Sequence, residues 1–149
     1  MRIGVLHGPN LRLLGRREPE IYGSATLSDV DRALADLAEA LDVEVEVHQS
    51  NHEGVLLDHI EETAGRVDGY VVNAGALTHT SVGLRDALVG VGRPFVEVHL
   101  SNTAAREPFR RVSHLSGVAL GVVYGFGVDS YLLGFRGLVA HLKTTPRTD

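Results

Sequence analysis

Five short apolar runs recur along the chain, each separated from the next by a helical or turn-rich stretch. They cover residues 2–7, 43–48, 70–72, 94–100 and 118–123. After the first, Leu27, Val30, Leu34, Leu37 and Leu41 recur at steps of three and four, the spacing of one helix face. Thr26-x-x-Asp29 ahead of them reads as a capping box. In the second run Val43, Val45 and Val47 alternate with Glu44, Glu46 and His48, which predicts an edge strand with one wet face. Ser50-x-x-Glu53 reads as a second capping box, opening a helix that turns Val55, Leu56, Ile60 and Ala64 inward and ends near Gly65. Thr80 or Ser81 caps a helix through about Val89, and a last helix spans about Ser130–Leu142. Strands alternating with helices predict a parallel α/β sheet. Crossover handedness and chain length favour a flavodoxin-like three-layer sandwich with a five-stranded parallel sheet. The reading is one domain over residues 1–142 and a polar tail over 143–149.

Composition narrows the function. The chain has no Cys, which excludes a disulfide framework, a thiol nucleophile and a thiolate metal site. Its formal charge of −5 argues against a nucleic-acid surface. No apolar stretch reaches the ~20 residues of a membrane span, and residues 1–7 carry no cleavable-signal pattern. The expectation is a soluble, cytoplasmic protein. Thirteen of the fourteen basic residues are Arg, so an acidic chain that binds an anion must gather some of these planar donor forks in one place.

In open parallel sheets, ligands bind beyond the carboxyl ends of the strands. Those ends carry Gly8–Asn10, Asn73–His79 and His99–Asn102. The stretch from Gly8 to Ala25 is too long for an ordinary connection of about 2–6 residues, and it holds Arg12, Arg16, Arg17 and Tyr22 between Gly and Pro hinges. It reads as a surface loop or as a lid. To act as a base near neutral pH a tyrosine must titrate about three pH units below its free value, a difference of roughly 4 kcal/mol. One guanidinium at ~4 Å in a partly polar site supplies about that much. Arg17 can therefore hold Tyr22 as a phenolate. Glu97 and His99 share a strand face, so the carboxylate can set the imidazole tautomer of a general acid. Ser101-Asn102-Thr103 reads as a helical start that offers backbone N–H groups to an anion or simply caps itself. Asn73 and His79 sit among small residues that allow close approach to a hydroxylated ligand.

Other chemistries lack their motifs. The eight His include no His-Glu-x-x-His, and no Gly-x-Ser-x-Gly elbow occurs. Gly121, Gly125 and Gly127 do not complete a dinucleotide fingerprint, and strand 1 does not end in the carboxylates of a phospho-receiver.

Four ordered motifs resemble the type II 3-dehydroquinate dehydratases. Gly-Pro-Asn-Leu-x-x-Leu-Gly-x-Arg-x-Pro-x-x-Tyr-Gly runs from Gly8 to Gly23 without a gap. Asn-Ala-Gly-Ala-x-Thr-His-Thr-Ser starts at Asn73 and continues to Leu84-Arg85-Asp86. Glu97-Val-His-Leu-Ser-Asn102 and Arg106-Glu-x-Phe-Arg110-x-x-Ser113 follow. Two positions depart from the pattern: His7 stands where Asn is common, and Leu77 where Tyr is common.

The resemblance implies a flavodoxin-like fold and a reversible dehydration without metal or cofactor, the third step of the shikimate pathway. The substrate, 3-dehydroquinate, would lose water through an enolate to give 3-dehydroshikimate. Tyr22 would be the base, held as phenolate by Arg17 and Arg106. Asn10 would stabilise the enolate through a water. His99 would protonate the departing hydroxyl, oriented by Glu97. Leu100 and Ser101 would take the substrate carboxylate, and Asn73, His79 and Arg110 its hydroxyls. Asp86 would reach a neighbouring subunit's site in a homo-oligomer, a trimer-based dodecamer. Two other readings fit the same sheet: a non-catalytic binding module such as an FMN carrier, disfavoured by the Arg17/Tyr22 loop, and an inactive oligomeric scaffold, disfavoured by the complete motif set.

Overall fold

The computed structural model describes residues 1–145, and of Tyr22 it describes the backbone alone. Five parallel strands form one sheet: β1 (Arg2–His7), β2 (Glu44–Gln49), β3 (Gly69–Asn73), β4 (Phe95–His99) and β5 (Gly121–Tyr124). Their order is β2-β1-β3-β4-β5, the flavodoxin-like order. Five helices accompany them: α1 (Pro19–Tyr22), α2 (Leu27–Ala40), α3 (Glu53–Thr63), α4 (Val82–Gly90) and α5 (Val128–Thr144).

Alternation along the strands divides the core in two. Ile3 and Val5 of β1, Val71 of β3, and Val96 and Val98 of β4 face α2 and α5, where they meet Val30, Leu34, Phe135 and Leu138. Leu6, Tyr70, Val72 and Phe95 face the other way, onto Leu56, Ile60, Leu84 and Leu88 of α3 and α4. Helices thus cover both faces, which closes the three-layer sandwich.

The Thr26 capping box forms as expected. Thr26 Oγ1 accepts the Asp29 N–H at 3.2 Å, and Asp29 Oδ2 accepts the Thr26 N–H at 2.9 Å. The second expected box does not. His52 is the N-cap of α3, and Ser50 Oγ accepts the His52 N–H at 2.9 Å instead. The Glu53 carboxylate goes to the Ser81 hydroxyl across the helix pair, so it cannot return to its own helix end. Val55 is exposed, and α3 buries Leu56, Ile60 and Thr63. Ser81 caps α4 by accepting the Leu84 N–H at 2.8 Å.

β2 is an edge strand, but it has no fully wet face: Glu46 is half-buried beneath Arg66, whose Nε donates to Glu46 Oε2 at 3.0 Å. β5 starts at Gly121 rather than Val118, because the N–H groups of Val118 and Ala119 close a turn on the Leu115 carbonyl. α5 continues through Thr144, two residues past the expected boundary at Leu142, and residues 146–149 of the expected tail lie outside the described ones.

Candidate active site

The strand order reverses between β1 and β3, so their following loops part and leave a crevice at the carboxyl end of the sheet. A cleft opens there. It is lined by Asn10, Arg17, Asn73, His79, His99, Leu100, Ser101, Arg106 and Arg110, with Leu11, Leu13, Leu14 and Thr103 among others. A wider hollow of about 820 Å³ lies at the opposite ends of the strands, near Met1, Arg93 and Phe95, where none of the expected site residues falls.

Two glycines bring the first walls together. A Cβ on Gly8 would stand 2.2 Å from the Ala74 carbonyl oxygen, so the chain can cross there only without a side chain. Gly75 sits against the Pro9 carbonyl with a φ of +56°. The close crossing, with the Gly8 N–H on the Asn73 carbonyl at 2.8 Å, brings Asn10 and Asn73 into the lining of one cleft. Asn10 itself is left-handed, with a φ of 69°, a conformation Asn tolerates better than most residues. Its N–H donates to Asn51 Oδ1 at 3.0 Å, and Gln49 Nε2 donates to both Asn51 Oδ1 and the Gly8 carbonyl. The end of β2 thus braces the end of β1.

Asn73 is the last residue of β3 and is buried, with Oδ1 accepting the Gly75 N–H at 3.2 Å. His79 donates from Nδ1 to the Val112 carbonyl at 2.6 Å, so Nε2 is the nitrogen left for a ligand.

The end of β4 carries an acid–base pair. Glu97 and His99 lie on one strand face, and His99 Nε2 is 2.7 Å from Glu97 Oε1. A carboxylate only accepts, so Nε2 holds the proton and Nδ1 is the ring's remaining working nitrogen. Glu97 is 1% exposed. Burial alone would push its carboxyl up. The bonds from His99 and Ser116, the charge of His99 and the bond from Ser113 outweigh that and hold it below its ordinary value. Ser113 Oγ donates to the carboxylate at 2.9 Å and in turn accepts the N–H groups of Leu115 and Ser116. Asn102 caps the short 3₁₀ turn Thr103–Ala105 by accepting the Ala104 N–H, so this expected helical start is a single turn.

Three arginines face the same cleft, and no carboxylate lines it among the described residues. Their acidic partners are exposed and do not line it. Arg110 Nε is 2.5 Å from Glu107 Oε2, and Arg17 Nε is 3.5 Å from Glu18 Oε2. Arg106 Nη1 reaches Ser101 Oγ at 3.4 Å. The cleft is therefore positive inside an acidic chain, fit for an anionic ligand.

Of the twelve residues expected at the site, nine line this cleft and Glu97 stands directly behind His99. Tyr22 ends α1 within the loop over the cleft, and its side chain lies outside the described residues. Asp86 is exposed on α4 and does not line this chain's own cleft. The bracing residues Gln49, Asn51, Ser113 and Ser116 were not expected. Ser113 stands within a quoted motif, which is the one sequence signal any of them had.

The family model for class II dehydroquinases (Dehydroquinase class II) matches residues 1–139. The chain belongs to the class II dehydroquinase family. Within that family, a 3-dehydroquinate dehydratase of Synechococcus sp. (strain WH7803) is 57% identical over 143 residues, spanning 96% of this chain and 97% of the relative. One from Gloeobacter violaceus is 54% identical over 149 residues, spanning 100% of this chain and 93% of its own length. The crystal structure of the type II dehydroquinase from Butyrivibrio crossotus superposes with a TM-score of 0.91 at 40% identity, covering 93% of this chain and 97% of that one. In this dehydroquinase-family chain the two motif departures fall outside the cleft lining. His7 is buried behind it, and Leu77 packs on the α3/α4 side of the core.

Proposed function

We propose that this chain reversibly dehydrates 3-dehydroquinate to 3-dehydroshikimate through an enolate. The observation that carries the reading is the Glu97–His99 pair opening onto a cleft walled by Arg17, Arg106 and Arg110. An enolate route needs a base, stabilisation of charge at the carbonyl oxygen and an acid for the leaving hydroxyl.

In this reading Tyr22, as phenolate, takes the C2 proton, and Arg17 and Arg106 hold its charge. The electron pair moves onto the carbonyl oxygen, where Asn10 steadies it through a water. His99, carrying a second proton on Nδ1 at this step, gives it to the departing hydroxyl, which leaves as water as the carbon–carbon double bond forms. Glu97 keeps the ring's other nitrogen engaged throughout. The backbone of Leu100 and Ser101, with the Ser101 hydroxyl, takes the substrate carboxylate. Asn73, His79 and Arg110 take its hydroxyls. Side chains, two backbone groups and one water supply every role, and the scheme calls on no cofactor or metal. We place the reaction in the cytoplasm with a small-molecule substrate, and the working form as a trimer-based dodecamer in which Asp86 serves a neighbouring site. Its exposed place on α4, away from its own cleft, supports that role.

The direct test follows enone absorbance with purified protein, 3-dehydroquinate and a chelator. A rise is the expected result. No rise from folded protein would remove the dehydratase reading.

A further inference from the structure

β1 ends in His7, which is 0% exposed and has no part in the chemistry above. It follows Ile3 and Val5 on the face covered by α2 and α5. Its ring there meets one residue from each helix. Nε2 is 2.8 Å from Asp31 Oδ1, and Nδ1 is 2.8 Å from the Tyr131 hydroxyl. Tyr131 is also 0% exposed, and the Asn73 side chain, on the same sheet face as Val71, lies beside its hydroxyl. Asn73 is the register partner of His7 on β3 and lines the cleft. A continuous chain of side chains therefore runs from the half-buried Asp31 through the core to the site.

Its two ends settle the direction of every bond. The Gly75 N–H can only donate, so it marks the oxygen of the Asn73 carboxamide and turns Nδ2 toward Tyr131. The phenol has Nδ2 as its neighbour on one side and donates a hydrogen bond to His7 Nδ1 on the other. The ring proton of His7 is then on Nε2, where the Asp31 carboxylate, an acceptor only, receives it. Burial pushes the Tyr131 phenol up, so it remains the donor this chain needs. With these bonds made, Asn73 keeps one N–H and one lone pair for the cleft, which suits a ligand hydroxyl.

We propose that Asp31, His7 and Tyr131 are positioning residues that fix the Asn73 carboxamide from behind, so that His7 controls substrate affinity without touching substrate. The inference rests on the dehydratase reading, in which Asn73 takes a substrate hydroxyl. The contact that matters is the one from His7 Nδ1 to Tyr131, since of these three side chains it is Tyr131 that lies beside Asn73.

Two substitutions at one position separate the contacts. His7→Asn places an amide oxygen near the Nδ1 position and keeps an acceptor for Tyr131 while giving up Asp31. His7→Gln reaches toward Asp31 and gives up Tyr131. Expected are a KM within about twofold of wild type for His7→Asn, and a KM raised about tenfold, with kcat little changed, for His7→Gln and Tyr131→Phe. A merely structural role would lower thermal stability in all three without that split. Asn impaired as much as Gln, or an unchanged KM in both His7→Gln and Tyr131→Phe, overturns the network. An isotope-labelled imidazole spectrum of the wild-type protein at neutral pH stands independent of any variant's folding: a neutral ring protonated at Nε2 is expected, and one protonated at Nδ1 overturns the proposal. A wild type inactive on 3-dehydroquinate removes the dehydratase reading and the KM claim with it. An active wild type with indifferent variants removes the network alone.

Discussion

Glu97 accepts a 2.7 Å hydrogen bond from His99, two residues along the same strand face, while the hydroxyls of Ser113 and Ser116 donate to the same carboxylate from a different loop. Three donors converge on one buried acceptor. That convergence keeps the group ionised in a dry place and fixes the imidazole beside it.

Glu97→Gln removes the charge and leaves one amide oxygen where two carboxylate oxygens accepted. The hold on the His99 ring weakens. A kcat loss on the order of a hundred-fold or more is expected, and His99→Ala should lose roughly a hundred- to ten-thousand-fold, the usual worth of a general acid. Steady-state kinetics beside circular dichroism checks this. Near-normal turnover in His99→Ala would remove it as the acid.

Tyr22→Phe keeps the ring and deletes the proposed base. Turnover should fall roughly a hundred- to ten-thousand-fold, with thermal stability little changed because the substitution removes one hydroxyl at the end of a four-residue helix. Residual activity close to wild type would sink the base assignment.

Gly8→Ala drives a methyl group into the Ala74 carbonyl. The β1 and β3 loops must then separate, at a cost of about 2 kcal/mol, which at this chain length lowers Tm by on the order of 6 °C. Activity falls as well, because the same crossing brings Asn10 and Asn73 into one cleft. A melting curve that matches wild type would contradict the close approach.

Stability should fall in two stages as pH is lowered. His59 stacks on His48 with ring centroids 3.9 Å apart. Burial, then the charge of His48, holds His59 below its ordinary value of 6.5. Below about 6.5 the unfolded chain takes that proton first, so stability drops as pH falls toward the folded value. Glu97 is also held down in the fold. Its contribution is present above the unfolded value of about 4.3 and is lost as pH falls through the lower folded one. Urea midpoints measured across pH should show both stages. His59→Gln should erase the first and leave the second, and a first stage that survives the substitution would assign it elsewhere.

Sedimentation tests the proposed role of Asp86. The chain should run as a large oligomer, and Asp86→Ala should lose activity with its own cleft unaltered. A monomer at micromolar concentration that still turns over substrate would contradict the shared site.

Much of the site was legible because the chemistry-bearing residues stand at strand ends, where fold class alone predicts ligands. Asn10, Asn73 and His99 could be placed there from apolar runs and turn residues. The edge position of β2 and the Thr26 box were legible for the same local reason. The expected box at Ser50 failed because a nearer use for Glu53, the Ser81 hydroxyl of the next helix, is invisible along the chain. Val55 was misplaced because it is apolar and adjoins Leu56, and how wide a stripe the helix buries depends on the neighbour it packs against.

The sequence by itself determined the strands, their alternation with helices and the polar residues that close them. Period, capping and turn chemistry act over a few residues and can be read in order. Only the tertiary structure decided the strand order that opens the crevice, the two serines behind Glu97 and the path from Asp31 through His7 and Tyr131 to Asn73. Those contacts join positions as much as 124 residues apart. They exist because alternate strand residues turn one face toward two particular helices, and no local pattern encodes which helices those will be.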